Sequence, residues 1–468
     1  MYPDHGIYHY MAWGIQHGMK LYTDLVDMNW PGVVIIHLIA RALSGPELDG
    51  LRFLDFLFQF VLCMTTTTIL AKYGVKKYIR LFCVSAYILY YVNSGDLATS
   101  QREGFSVPLI VLGLYPWFTV NDIKNHSLIK WLVYGLITGF GLWIKPTPLL
   151  MVVTIVFLFF VVIGKSEKKI FFKLLGAYIL GITVVSLCFI LWMVFDGVFY
   201  YFLQWGIAYN ITDYPSINHP WKVRYEHTLY HINSNSIPLK LLVAGFICSL
   251  MSKNWFKAFC RKEILYAVAF VISALVSILI QGKTHCLYHY VSFFWGIVFL
   301  SAILFSTSDL VNILYKYVSG LVFFCCIFLL YSTGLDFQNN ILGPGCSTVT
   351  AREIKSKIYP NEQVVAFGSD TSTLLSELER QTPYPYIFSS PLYYGSRPGS
   401  LYRKIMQYKL DEGIKNPNVV FVILQEATLG GLLGDGYNIW HRLEYYGYRE
   451  VYRPSCGESF VIYGRRFL

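Results

Sequence analysis

Apolar runs of 15 to 20 residues recur along the chain, separated by polar connectors. A helix of roughly 20 apolar residues crosses the roughly 30 Å hydrocarbon core of a bilayer. The candidate spans are 52–71, 79–93, 105–120, 129–145, 148–164, 172–195, 238–252, 263–281, 288–306 and 314–334. From residue 335 the pattern changes. Apolar runs of strand length at 362–368, 386–390, 418–424 and 459–466 alternate with helical patterns near 349–358, 397–415 and 437–450. Such alternation predicts a small α/β domain. The expected fold class is mainly α: a polytopic membrane helical bundle over 51–334, with a C-terminal extracytoplasmic α/β domain over 335–468.

The connectors alternate in character. AKYGVKKYIR (71–80), NDIKNHSLIK (121–130), GKSEKKIFFK (164–173) and SKNWFKAFCRKE (252–263) are short and lysine-rich, which places them on the cytoplasmic side. Segments 94–104, 196–237, 282–287 and the region from 335 are poorer in lysine and arginine and face outward. Residues 1–50 then also lie outside, as a first loop. Its start, MYPDHG, has neither a basic region nor an apolar core, so it is no signal peptide. Ile7, Tyr10, Met11, Gly14, Ile15 and Met19 recur near helical period, and PGVVIIHLIARALSG (31–45) is apolar but short for a span. Both segments are expected to be helices lying in the membrane interface.

Composition supports the membrane assignment. The chain is 55% hydrophobic and only 14% charged, with a mean hydropathy of +0.46, whereas soluble domains carry about a quarter charged residues. The net charge of +10 does not imply nucleic acid, because the lysines sit in the connectors and no arginine-rich patch or basic helix appears. Six cysteines (Cys63, Cys83, Cys188, Cys248, Cys325, Cys326) lie in or beside apolar runs as small packing residues. Cys286, Cys346 and Cys456 fall on the outer, oxidising side, where Cys346 and Cys456 could pair.

The outward loops gather acids and bases. The first holds Asp4, Asp24 and Asp27, and NSGDLATSQREGF (93–105) holds Asp96, Arg102 and Glu103. WIKPTP (143–148) places Lys145 at the outer end of its helix, and QGKTHCLYHY (281–290) offers Lys283, His285, Tyr288 and His289. A carboxylate can take the proton of an incoming hydroxyl or amine, while lysine and arginine can hold a phosphate leaving group. Ionisable groups at membrane depth are costly and point to function. Plainer readings stand beside these. Asp24 and Asp27 could cap or solvate an interfacial helix, and Lys145 and Lys283 could be snorkelling anchors. His5, His9 and His17 fall on one helix face, but no cysteine or compact acidic set accompanies them, so no metal is expected. No P-loop, GxGxxG, GxSxG or HExxH occurs in its required context. Energy must then arrive with the substrate, as in an activated lipid-linked donor.

These residues also resemble a known family. PDHGIYHYMAWGIQHGMKLYTDLVDMNWPG (3–32) is similar to the first outer loop of bacterial GT-C glycosyltransferases, the superfamily of protein O-mannosyltransferases and lipid A aminoarabinose transferases, at Asp4, Tyr8, Gly18, Tyr22, Asp24, Asp27 and Pro31. SQREGF (100–105), GFGLWIKPTPLL (139–150), GKTHCLYHY (282–290) and YREVYRPSCGESFVIYGRR (448–466) resemble later elements, the last a closing strand pair. The resemblance implies transfer of a sugar from a polyprenyl-phosphate donor to a cell-envelope acceptor, at the outer face of a bacterial plasma membrane. It implies Asp4 as base and no cofactor beyond the lipid-linked substrate. Tyr8, Asp24, Asp27, Arg102, Glu103, Lys145, Lys283, His285 and His289 are the candidate substrate-binding residues. Many relatives carry a Lys-Pro-Pro turn whose lysine meets the donor phosphate. Here Asn29, Trp30 and Pro31 stand there, which shifts that role toward Arg102, Lys145 and Lys283. The family also implies a spanning helix ahead of the first loop, giving eleven rather than ten. Three other readings stand beside this one, among them a non-catalytic assembly protein, which would not need acids and bases on every outer loop. An O-antigen polymerase or ligase lacks a terminal α/β domain, and a transporter or flippase should show internal repeats and broken mid-membrane helices.

Overall fold

The computed structural model describes residues 3–95, 98–120, 127–164, 167–214, 220–234, 236–252, 261–282, 284–307, 346–368, 371–387, 399–425, 437–454 and 460–465, with residues 259, 393 and 396 besides. The chain divides into two compact units. One combines residues 1–51, 190–218 and 341–468; the other combines 52–189 and 219–340.

The second unit is helical. It contains α3 (Asp49–Lys72), whose first turn belongs to the other unit, α4 (Lys77–Asn93), α5 (Arg102–Thr119), α6 (Leu128–Ile144), α7 (Leu149–Val162) and most of α8 (Lys168–Phe195). It closes with α11 (Trp221–Ser234), α12 (Ser236–Leu250), α13 (Lys262–Gln281), a 3-10 turn (Leu287–Tyr290) and α14 (Val291–Ser306). Helices thus stand at nine of the ten expected spans, and the tenth, 314–334, lies outside the described residues. Among the described residues, Asp49–Lys72, Lys168–Phe195, Lys262–Gln281 and Leu287–Ser306 are long and apolar enough to cross a membrane. Phe157, Phe172, Ile179, Leu191 and Val194 are exposed large hydrophobics, as lipid-facing surfaces require.

Small residues let these helices approach closely. A Cβ on Gly135 would fall 2.0 Å from the carbonyl oxygen of Tyr178, and one on Gly181 would fall 2.2 Å from that of Leu132. The α6–α8 contact therefore requires glycine on both helices. Trp117 packs edge-on against Trp131 and Tyr178, and Trp295 stacks on Phe299.

The first unit is mixed. It holds α1 (Pro3–Gln16), α2 (Gly32–Ser44), a short α9 (Phe199–Phe202) running through π-helical turns (Leu203–Tyr209) into α10 (Asn210–Thr212), α15 (Cys346–Lys355), α16 (Thr371–Leu378), α17 (Leu401–Lys415) and α18 (Ile439–Tyr445). Four strands, β1 (Gln363–Phe367), β2 (Val419–Gln425), β3 (Arg449–Tyr452) and β4 (Phe460–Gly464), form one sheet in the order β1-β2-β4-β3. β1 runs parallel to β2, and the other pairs are antiparallel. The central strand β2 is almost wholly buried, as its continuous apolar run requires. α1 packs on α16: a Cβ on Gly6 would stand 2.6 Å from the Cα of Thr373.

Two expectations for this region need correction. The run at 386–390 forms no strand in its described part, where Tyr386 makes a single bridge to Val26. Pro383 and Pro385 precede it and lack the amide hydrogens that a ladder needs. The helix expected over 437–450 ends at Tyr445, with Gly447 in the left-handed region (φ 77°) opening the turn into β3. Cys456 and the side chain of Cys346 lie outside the described residues.

Candidate active site

The helical unit brings Glu103, Lys145 and His289 together. Glu103 lies in the first turn of α5, where the helix dipole favours a carboxylate. Lys145 caps the C-terminus of α6, where the dipole favours a cation. Its backbone is extended (φ −151°, ψ 122°), as the following Pro146 demands. His289 comes from the 3-10 turn ahead of α14. All three are buried.

Lys145 Nζ is ion-paired with Glu103 Oε1. His289 Nδ1 lies 2.6 Å from the same oxygen and 2.7 Å from Lys145 Nζ. One proton decides the pattern. Carried on Nδ1 it is donated to Glu103; without it, Nδ1 accepts from the lysine. The Tyr288 ring sits 5.9 Å from Lys145 Nζ, and Ser106 Oγ ties α5 to α6 by donating to the Gly141 carbonyl at 2.9 Å. The cluster lines a narrow recess, with Ser277, Gln281 and Ser292 among its other walls. A cation and an imidazole beside a polar recess can take up the charge of a phosphate, and the shared carboxylate holds both in place.

Arg102 begins the same helix and is half-buried. His285 is exposed and lies with α11, where its carbonyl oxygen is 3.0 Å from the His231 Nε2 and its ring is 6.2 Å from that of His227. Lys283 and Asp96 lie outside the described residues.

The first unit carries the remaining candidates. Asp4 and Tyr8, one helical turn apart on α1, are both buried, and the Tyr8 ring lies 5.5 Å from that of His37. Asp27 is fully buried, and its Oδ1 accepts from the Asn29 backbone N–H at 2.8 Å and from its side-chain amide at 2.5 Å. Asn29 therefore serves the turn around Asp27. Tyr22 braces that turn, at φ 64°, by donating its hydroxyl to the Asn29 carbonyl. Asp24 is exposed, and its Oδ2 accepts from the Lys20 backbone N–H at 2.9 Å. His17 is exposed beside Trp13, while His9 and His37 are buried with ring centroids 5.8 Å apart. Burial, then Arg41, pushes His9 down to about 4. Burial, then the neighbouring histidines His9 and His5 and then Arg41, also holds His37 well below the ordinary imidazole range. Both rings are neutral at pH 7, as in a packed core.

Arg41, at the end of α2, pairs with Glu379 at 2.8 Å. Burial alone would raise the Glu379 carboxyl, but the hydrogen bond from Arg41 and the charge of Lys355 outweigh it and lower its pKa.

No protein-family model matches the sequence, and no curated protein matches it. Solved structures do. ArnT from Cupriavidus metallidurans, crystallised with undecaprenyl phosphate bound, superposes with a TM-score of 0.65 at 12% identity, over 99% of this chain and 93% of that one. The oligosaccharyltransferase of Archaeoglobus fulgidus, tethered to an acceptor peptide, superposes with a TM-score of 0.51 at 10% identity, over 97% of this chain and 69% of that one. The chain shares its fold with these two structures. With four described helices long and apolar enough to cross a membrane, the chain is a multi-pass membrane protein.

One buried acid escaped the reading of the loops because it lies inside an expected span. Asp55 of α3 is 6% exposed, and Gln59, one turn on, is 5% exposed. Two polar residues one turn apart in FLDFLFQF (53–60) were the available signal, since a carboxylate at membrane depth needs partners.

Proposed function

We propose that this chain is a glycosyltransferase that moves a sugar from a polyprenyl-phosphate donor to an acceptor of the cell envelope, at the outer face of a bacterial plasma membrane. The observation that carries this reading is the buried Glu103–Lys145–His289 cluster at the ends of membrane helices, in a fold shared with an enzyme that binds undecaprenyl phosphate. Lys145 and His289 take the developing charge of the phosphate as the sugar leaves it. Glu103 keeps the lysine aimed and compensates its charge before the donor arrives.

Asp4 is assigned the proton of the acceptor hydroxyl or amine as general base. The acceptor oxygen or nitrogen then bonds to the anomeric carbon, the carbon–oxygen bond to the phosphate breaks, and the polyprenyl phosphate departs with the electron pair. Displacement from the opposite face inverts the anomeric centre. The test is lipid mass spectrometry of cells lacking the protein. A polyprenyl-phosphate sugar should accumulate, and wild-type protein but not D4A should clear it; an unchanged lipid pool would exclude this activity.

A further inference from the structure

We propose that Asp55 is a positioning residue for Glu103, acting through the turn that opens α5; the role rests on the reading of the cluster given above. Asp55 collects donors from two directions. Tyr91 Oη of α4 donates to its Oδ1 at 2.8 Å, and Gln59 Nε2 stands 3.4 Å from the same oxygen. The Ser100 backbone N–H donates to Oδ2 at 3.0 Å, with the Ser100 hydroxyl at 3.4 Å.

The contact with Ser100 falls where the chain most needs help. Ser100 has φ 57°, in the left-handed region that side-chain-bearing residues seldom enter. Such a conformation is costly and persists only where its surroundings hold it. Asp55 holds it by accepting from both the amide and the hydroxyl of that residue.

The far side of the turn is held by the same group of side chains. Gln59 Nε2 donates to the Gly104 carbonyl at 2.8 Å, while Gln59 Oε1 accepts from Tyr87 Oη at 3.2 Å. A Cβ on Gly104 would stand 2.2 Å from Tyr91 Oη and 3.1 Å from Asp55 Oδ1. Glycine is therefore required for the backbone to press against this network. Residues 100 and 104 are fixed by one buried set of side chains, and between them lie Arg102 and Glu103. Shifting Ser100 rotates the first turn of α5 and with it the carboxylate that holds Lys145 and His289. Asp55 touches neither Lys145 nor His289 in any described contact, which separates its part from theirs.

The experiment is a double-mutant cycle on the full chain in nanodiscs, read as affinity for undecaprenyl phosphate by native mass spectrometry. D55A and E103Q should each weaken binding about tenfold, and D55A/E103Q should also bind about tenfold more weakly rather than a hundredfold, because coupled residues are not additive. D55N should bind within about twofold of wild type, since an amide can accept from Ser100 and donate to Tyr91. A hundredfold loss in the double variant, or D55N as weak as D55A, overturns the positioning role while leaving the cluster's role intact. If E103Q binds as wild type, the reading of the cluster has failed and the positioning role falls with it. Should D55A not fold, Y91F removes a single hydrogen bond; its expected loss of about threefold should vanish in the E103Q background, and persistence there overturns the proposal.

Discussion

The ionisable groups of the first loop and those at the helix ends are arranged on opposite plans. In the first unit each ionisable group has its own separate partner. Asp27 Oδ1 accepts from Asn29 two residues on, Asp24 from the Lys20 amide, and Arg41 pairs with distant Glu379, while His9 and His37 are kept neutral among aromatic rings. In the helical unit Lys145 and His289, from two separate elements, converge on a single carboxylate oxygen of Glu103, from a third. On the function proposed above, Asp4 of the first unit serves proton transfer, and the concentrated charge of the helical unit meets the donor phosphate.

The largest effect should come from the acid of the first loop. D4A should slow sugar transfer by about 10²–10⁴-fold, the usual contribution of a positioned base, with the melting temperature of the purified protein unchanged. A variant within threefold of wild type in cleared lipid donor would remove Asp4 from the chemistry. Next, E103Q should destabilise the helical unit by about 3 kcal/mol, because breaking a buried pair leaves its partner charge uncompensated. Denaturation of E103Q, K145M and the E103Q/K145M pair checks this. The double variant should be more stable than E103Q, and equal or lower stability would contradict a buried ion pair.

The third prediction concerns pH. His9 folds with its pKa depressed from 6.5 to about 4, so between those values the unfolded chain binds more protons. Stability contributed by neutral His9 is full above about pH 6.5 and declines as pH falls, reaching about 3 kcal/mol lost near pH 4. His37 shifts in the same direction. Hydrogen exchange on α1 and α2 at pH 5 and pH 7.5 should show this loss, and H9Q should flatten it; the same slope in both proteins would contradict it. The smallest effect belongs to N29A. Losing the side-chain donor to buried Asp27 should cost about 1 kcal/mol, with lipid binding unaltered. A tenfold loss of undecaprenyl phosphate affinity in N29A would instead return this turn to the donor site.

The sequence was most legible where one force dominates. Bilayer thickness and period placed helices at nine spans, and the run expected at 418–424 overlaps β2, Val419–Gln425, at all but its first residue. Glu103, Lys145 and His289 were visible as candidates because each is a polar group beside an apolar run. Their meeting at one oxygen was not, since it depends on contacts 42 and 186 residues apart. The edge strand β3 was hidden from periodicity by its exposed Arg449 and Glu450, a common composition for edges, although the family resemblance had indicated a closing strand pair. α16, TSTLLSEL, is short and rich in Ser and Thr, so neither length nor propensity marked it. Asn29 was read as a missing phosphate ligand, and only the turn geometry revealed its service to Asp27.

The division of labour between the two regions is tested most directly by undecaprenyl phosphate affinity in three proteins side by side: wild type, D4N and K145M. D4N should bind within about twofold of wild type and K145M at least tenfold more weakly, since Lys145 supplies the charge-assisted contact worth more than about 1.4 kcal/mol. K145M binding as tightly as wild type, or D4N losing as much affinity as K145M, would contradict the account.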